Sequence, residues 1–218
     1  MSARVHPLAS AIAALARGIS GVRVRWEGCL PEAKQRIYFA NHTSHLDFVV
    51  LWSALPAEIR ARTRPVAAKD YWERGVRAYL AKEVFRGVLV QRGGSAHAAG
   101  TEHALAEARS AIDQLAEALG ESDSLILFPE GTRGTGETIA RFRSGLYYLA
   151  KRRPDVELVP VYIENLNRIL PKGEVIPVPL ACSLTFGAPM HVDESEHKQD
   201  FLERACAALY ALHRKGQP

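Results

Sequence analysis

The chain has 218 residues, 47% of them hydrophobic and 24% charged, with 28 Lys plus Arg against 24 Asp plus Glu. That length supports one sizeable core and is short for two full domains, and the composition excludes a disordered or low-complexity chain. The formal net charge of +4 suits an anionic partner such as phosphate, a phospholipid surface or an acidic carrier, and it equally suits a solvated surface with surplus arginine.

Residues 1–20 are expected to form an N-terminal amphipathic helix, which either packs on the domain or rests at a membrane interface. A signal peptide is disfavoured, because the arginines of "HPLASAIAALARGISGVRVRW" follow the apolar stretch instead of leading it. Residues 21–218 then read as one domain. "VRVRW" (22–26) and "RIYFA" (36–40) have strand character, and "SHLDFVVLWSAL" (44–55) has helical spacing. Strand "RPVAA" (64–68) precedes helix "DYWERGVRAYLAKEVF" (70–85), and strand "GVLVQ" (87–91) precedes a long helical pattern over 96–119. Strand "SLILF" (124–128), helix "FRSGLYYLAKR" (142–152), strands 157–163 and 181–186, and a last helix over about 195–214 complete the chain. Alternation of this kind gives an α/β fold: a mostly parallel or mixed central sheet of about seven strands, flanked by helices.

No apolar run approaches the roughly 20 residues that span a bilayer. Cys29, Cys182 and Cys206 are far apart and form no CxxC pair. Neither a zinc ribbon nor a disulfide framework is indicated, and a reducing compartment is.

Two polar motifs each follow a strand: "NHTSHLD" (41–47) after "RIYFA", and "PEGTRG" (129–134) after "SLILF". Sites of open α/β sheets gather outside the carboxyl ends of strands, so the two motifs can face one cleft. Three readings compete for His42, His45 and Asp47. In one, Ser44 is a helix N-cap and Asp47 closes a capping box. In another the three residues hold a metal, although no nearby cluster of His or Cys completes a shell. In the third, His42 sits in the turn before a helix and Asp47, in the first helical turn, orients it as a base; five residues apart on one helix they could not meet.

These residues carry a resemblance. "NHTSHLD" is similar to the H-x-x-x-x-D (HX4D) signature of the glycerolipid acyltransferases, specifically the lysophosphatidate acyltransferase-like family, and "FPEGTRG" (128–134) resembles that family's second hallmark. "GVLVQR" (87–92) resembles its segment ending in a substrate-binding Arg, and "VPVYI" (159–163) its late strand near the acyl site. The resemblance spans about residues 20–190. Gln91 departs from it, standing before Arg92 where the family often has an acidic residue.

The resemblance implies a glycerol-3-phosphate acyltransferase-like fold. It also implies transfer of a fatty acyl group from acyl-CoA or acyl carrier protein to the free hydroxyl of lysophosphatidate, giving phosphatidate. The thioester is a co-substrate, and no metal, bound cofactor or nucleic acid is implied. The enzyme would sit peripherally (monotopically) on the cytoplasmic side of a membrane, meeting the lipid through the first helix and apolar residues around "FVVLW" and "YWERGV". Such chemistry must deprotonate a hydroxyl, stabilise an oxyanion and hold the acceptor. His42 suits the first task as general base, with Asp47 fixing its tautomer as a triad acid does; no G-x-S-x-G elbow supplies an enzyme nucleophile.

Arg133 offers a planar fork for phosphate, Thr132 adds a hydroxyl, and Gly131 and Gly134 let the backbone approach a ligand. Arg92 would complete the clamp. Glu130 is expected to orient Arg133 or Arg92, or to accept from a glycerol hydroxyl. Lys69 is a lesser candidate, and Arg141 and Arg143 could steer an acidic carrier or the phosphates of coenzyme A. The alternatives are a related enzyme with another lyso-lipid or glycerol-phosphate acceptor, and an acyl-thioester hydrolase.

Overall fold

A computed structural model describes residues 7–44, 46–91, 101–136, 138–166 and 182–215. In chain order the elements are α1 (Pro7–Ser20), β1 (Arg23–Trp26), β2 (Arg36–Ala40), α2 (Asp47–Ala54), α3 (Ala57–Arg62), β3 (Thr63–Ala68), α4 (Lys69–Trp72), α5 (Gly75–Tyr79) and β4 (Val88–Val90). They continue with α6 (Thr101–Leu119), β5 (Ser124–Leu127), α7 (Gly145–Arg152), β6 (Glu157–Glu164), β7 (Ser183–Phe186) and α8 (Lys198–Lys215).

Among the described residues the strands form one seven-stranded sheet in the order β1-β7-β6-β2-β5-β3-β4. Every neighbouring pair is parallel except β6 and β7, which run antiparallel. β2 lies near the middle because its apolar residues serve both faces, as a strand covered on both sides requires. Tyr38 and Ala40 point into a core shared with α1, α2 and Phe85, while Ile37 and Phe39 point into a second core under α6, α7 and α8. The edge strand β1, by contrast, alternates between exposed and half-buried residues.

Two expectations change. The helix foreseen over 70–85 breaks at Gly75, whose φ of +59° favours glycine, and its second half ends in a π-helical turn, Leu80–Val84. "FVVLW" is no exposed patch: Val50, Leu51 and Trp52 are buried, and Phe48 and Trp52 each meet Phe85 edge to face. Val76 of "YWERGV" is exposed, as are Leu15 and Ile19 on α1. Helix α1 itself lies against the domain, with Ala9 and Ala13 buried in the first core.

The topology also explains where the two motifs meet. β2 and β5 are parallel neighbours, with Phe39 opposite Leu127. The segments that follow them therefore leave the sheet side by side at its carboxyl end.

Candidate active site

Asn41 continues β2 by one residue without being part of it. Its buried carboxamide donates to the Ile163 carbonyl (2.9 Å) and accepts from the Ile163 N–H (2.8 Å), standing in for a ladder pair with β6. The chain leaves the sheet only at His42, so the base of the loop is fixed before the histidine.

Helix α2 begins at Asp47, which is fully buried. Asp47 Oδ2 lies 2.7 Å from His42 Nδ1 and also accepts the N–H groups of Thr43 (2.6 Å) and Ser44 (2.8 Å). The expected cap is only half formed: Leu46 occupies the N-cap position, and the Ser44 hydroxyl accepts from Leu46 N–H at 3.3 Å. One carboxylate oxygen thus does both jobs proposed for it, satisfying loop amides that would otherwise be orphaned and holding the imidazole. With Nδ1 committed, Nε2 is the ring nitrogen left for proton exchange, on a side chain 22% exposed.

The second motif supports the opposite face of this histidine. Phe128 stacks on the imidazole, with ring centroids 4.3 Å apart and planes at 22°. Glu130, almost fully buried, accepts from the His42 N–H through Oε1 (2.7 Å) and from the Ala140 N–H through Oε2 (2.8 Å). Gly134 N–H donates to the His42 carbonyl (2.8 Å). The peptide groups on both sides of His42 are therefore held by the 130–140 segment. Glu130 does not orient an arginine among the described residues; its carboxylate ties the two motifs together.

Burial holds the Glu130 carboxyl above the usual 4.5, outweighing the Ala140 and His42 N–H groups and the His42 ring, which pull it down. Between 4.5 and that raised value the folded protein binds more protons than the unfolded chain, so this group's contribution to stability falls as pH rises through the window. Glu130→Gln should abolish that component. Urea unfolding of both proteins from about pH 4 to about pH 7 measures it: wild type should lose stability relative to the variant as pH climbs, then run parallel. Parallel curves throughout would mean that Glu130 titrates alike in both states.

Gly131, Thr132 and Arg133 lie exposed on the turn after Glu130. Gly131 has φ +72°, and a Cβ there would stand 2.7 Å from Arg143 Cδ. The Arg143 side chain lies across the turn, and its backbone N–H donates to the Pro129 carbonyl (2.8 Å). Arg143 belongs to the motif's surroundings, a placement that sequence spacing did not reveal. Lys69 instead pairs with Glu73 (3.3 Å), and Arg141 is exposed. Arg92 and His45 lie outside the described residues.

The described residues contain no group of three or more His, Cys, Asp or Glu that could hold a metal ion. All three cysteines are free, and burial raises each thiol, Cys182 to about 11. At neutral pH they are poor sources of thiolate.

No curated protein matches the sequence. Among solved structures, the 1-acyl-sn-glycerophosphate (LPA) acyltransferase PlsC from Thermotoga maritima is similar, at 19% identity and a TM-score of 0.70 over 97% of this chain and 80% of that one. At such low identity the likeness speaks for the fold. The family profile "Acyltransferase" matches residues 21–164, which takes in both motifs and well over half of the chain. With the fold and the profile in agreement, this chain belongs to the acyltransferase family.

Proposed function

We propose that this acyltransferase moves a fatty acyl group from acyl-CoA or acyl carrier protein to the free hydroxyl of lysophosphatidate, giving phosphatidate, with His42 as general base. One observation carries the reading: an imidazole held at 2.7 Å by a fully buried carboxylate, with its other nitrogen free to act. A carboxylate that already accepts two backbone N–H groups can only accept from the ring, so the proton sits on Nδ1 and Nε2 carries the lone pair.

In the proposed step Nε2 takes the proton of the acceptor hydroxyl as its oxygen attacks the thioester carbonyl. The tetrahedral intermediate collapses by breaking the C–S bond, and the imidazolium returns the proton to the leaving thiolate. Asp47 stabilises the imidazolium between these events. The substrate's hydroxyl takes the place a serine holds in a triad. Arg133, exposed on the turn beyond Glu130, is assigned to the acceptor's phosphate, with Thr132 beside it and Arg92 as the second arm of the clamp.

No helix of the described residues is long and apolar enough to cross a membrane. The proposed approach to the lipid is peripheral, through the outward residues Leu15 and Ile19 of α1.

The direct test incubates purified protein with acyl-CoA or acyl carrier protein and a panel of lyso-acceptors, and identifies products by mass. Phosphatidate is expected from lysophosphatidate; free fatty acid alone would point to thioester hydrolysis. Arg133→Lys keeps the charge but loses the bidentate fork, and should weaken use of the phosphorylated acceptor by roughly tenfold or more while leaving background hydrolysis of the donor unchanged. Equal losses on phosphorylated and dephosphorylated acceptors would move the clamp elsewhere.

A further inference from the structure

The 130–140 segment that clamps His42 is itself held at its far end. Tyr210, on helix α8, accepts from the Ile139 N–H through its hydroxyl (3.0 Å) and reaches back to the Ile139 carbonyl (3.4 Å). The next amide along, Ala140 N–H, is the one that donates to Glu130 Oε2, while Glu130 Oε1 takes the His42 N–H. An unbroken series of contacts therefore runs from α8 to the peptide of the proposed base, across 71 residues at its first link.

Helix α8 makes a firm platform, since Phe201, Ala205 and Leu209 are buried in the second core. The charge of Glu130 adds to the effect of burial in raising the thiol of Cys206, one turn before Tyr210 on this helix. This helix lies wholly beyond residue 164, where the family profile ends.

We propose that Tyr210 is a positioning residue for the active site: its hydroxyl fixes the Ile139–Ala140 backbone, which fixes Glu130, which sets the His42 main chain. Its kinetic consequence rests on the acyl-transfer reading above; its structural consequence does not. Small displacements of a base are costly, because proton transfer requires near-ideal approach. Half-exposed Ile139 can bond to water once the phenol is gone, so the fold should tolerate the loss.

The test compares Tyr210→Phe with Tyr147→Phe, which removes a hydroxyl bonded to Glu196 O (3.2 Å) on the same side of the sheet but outside this series. Hydrogen exchange is read at the amides of Ala140 and His42. Tyr210→Phe should speed both by roughly fivefold, the loss of about one hydrogen bond, and Tyr147→Phe neither. In the acyl-transfer assay, run well below the melting midpoint of the less stable variant, Tyr210→Phe should lower kcat roughly tenfold with acceptor KM nearly unchanged. Combining it with Glu130→Gln should cost little more than the larger single effect, as expected for groups acting through one another.

Unchanged exchange at His42, equal effects from Tyr147→Phe, or additive losses with Glu130→Gln would each overturn the proposal. If wild type acylates no acceptor, the functional reading falls, and the exchange measurement still decides whether Tyr210 holds the His42 peptide.

Discussion

Replacing His42 by Ala should cut turnover by about two to four orders of magnitude while leaving acceptor affinity close to wild type. The substitution removes the only ring nitrogen that the Asp47 geometry leaves available for the hydroxyl proton. It spares the main-chain bonds to Glu130 and Gly134, so the loop should keep its path. Phe128 loses its stacking partner, a loss of about a kilocalorie per mole at most and small beside the change in rate. Steady-state kinetics with lysophosphatidate, at saturating donor, measures both quantities. If His42→Ala stays near full activity and His45→Ala is inactive, the base is His45.

Asp47→Asn should be similarly damaging, at about two to four orders of magnitude in kcat, for a different reason. The carboxamide oxygen, in the place of Oδ2, can still accept the Thr43 and Ser44 N–H groups and face His42 Nδ1. A neutral amide oxygen keeps the Nδ1–H tautomer but carries no charge to stabilise the imidazolium that forms as the hydroxyl proton is taken. Because the loop amides stay satisfied, the melting temperature should fall by only a few degrees, as for a retained cap. A large fall in melting temperature with turnover intact would reduce Asp47 to a helix-capping residue.

Much of this arrangement could be read from the residues. The strand ending at Ala40 and the strand ending at Leu127 were legible from short β-rich runs bounded by polar turns, and so was the meeting of their trailing motifs. The pairing of His42 with Asp47 was legible as one of three readings, because five residues suffice only when one partner precedes the helix. Glu130 was legible as part of the second motif, but its bonds to the His42 and Ala140 N–H groups were not. A buried carboxylate that binds backbone amides leaves no mark on side-chain identities elsewhere, whereas an arginine partner would. For the same reason nothing flagged Tyr210, which bonds to a main chain 71 positions away. The break at Gly75 was hidden by apolar spacing that runs on at helical period through the kink.

The strand order has a consequence for biosynthesis. Among the described residues β1 joins the sheet only through β7, and β7 is also what covers the outer side of β6. As the chain emerges, the central strands β2, β5 and β6 can assemble once residue 164 is available, but β6 then presents an open edge and β1 has no neighbour. Both wait for Ser183–Phe186. During that interval the nascent protein exposes a long, apolar strand edge of the kind that recruits other chains. Shortening the gene to the family-matched region would make the interval permanent, yielding an aggregating product even though both sequence motifs remain intact.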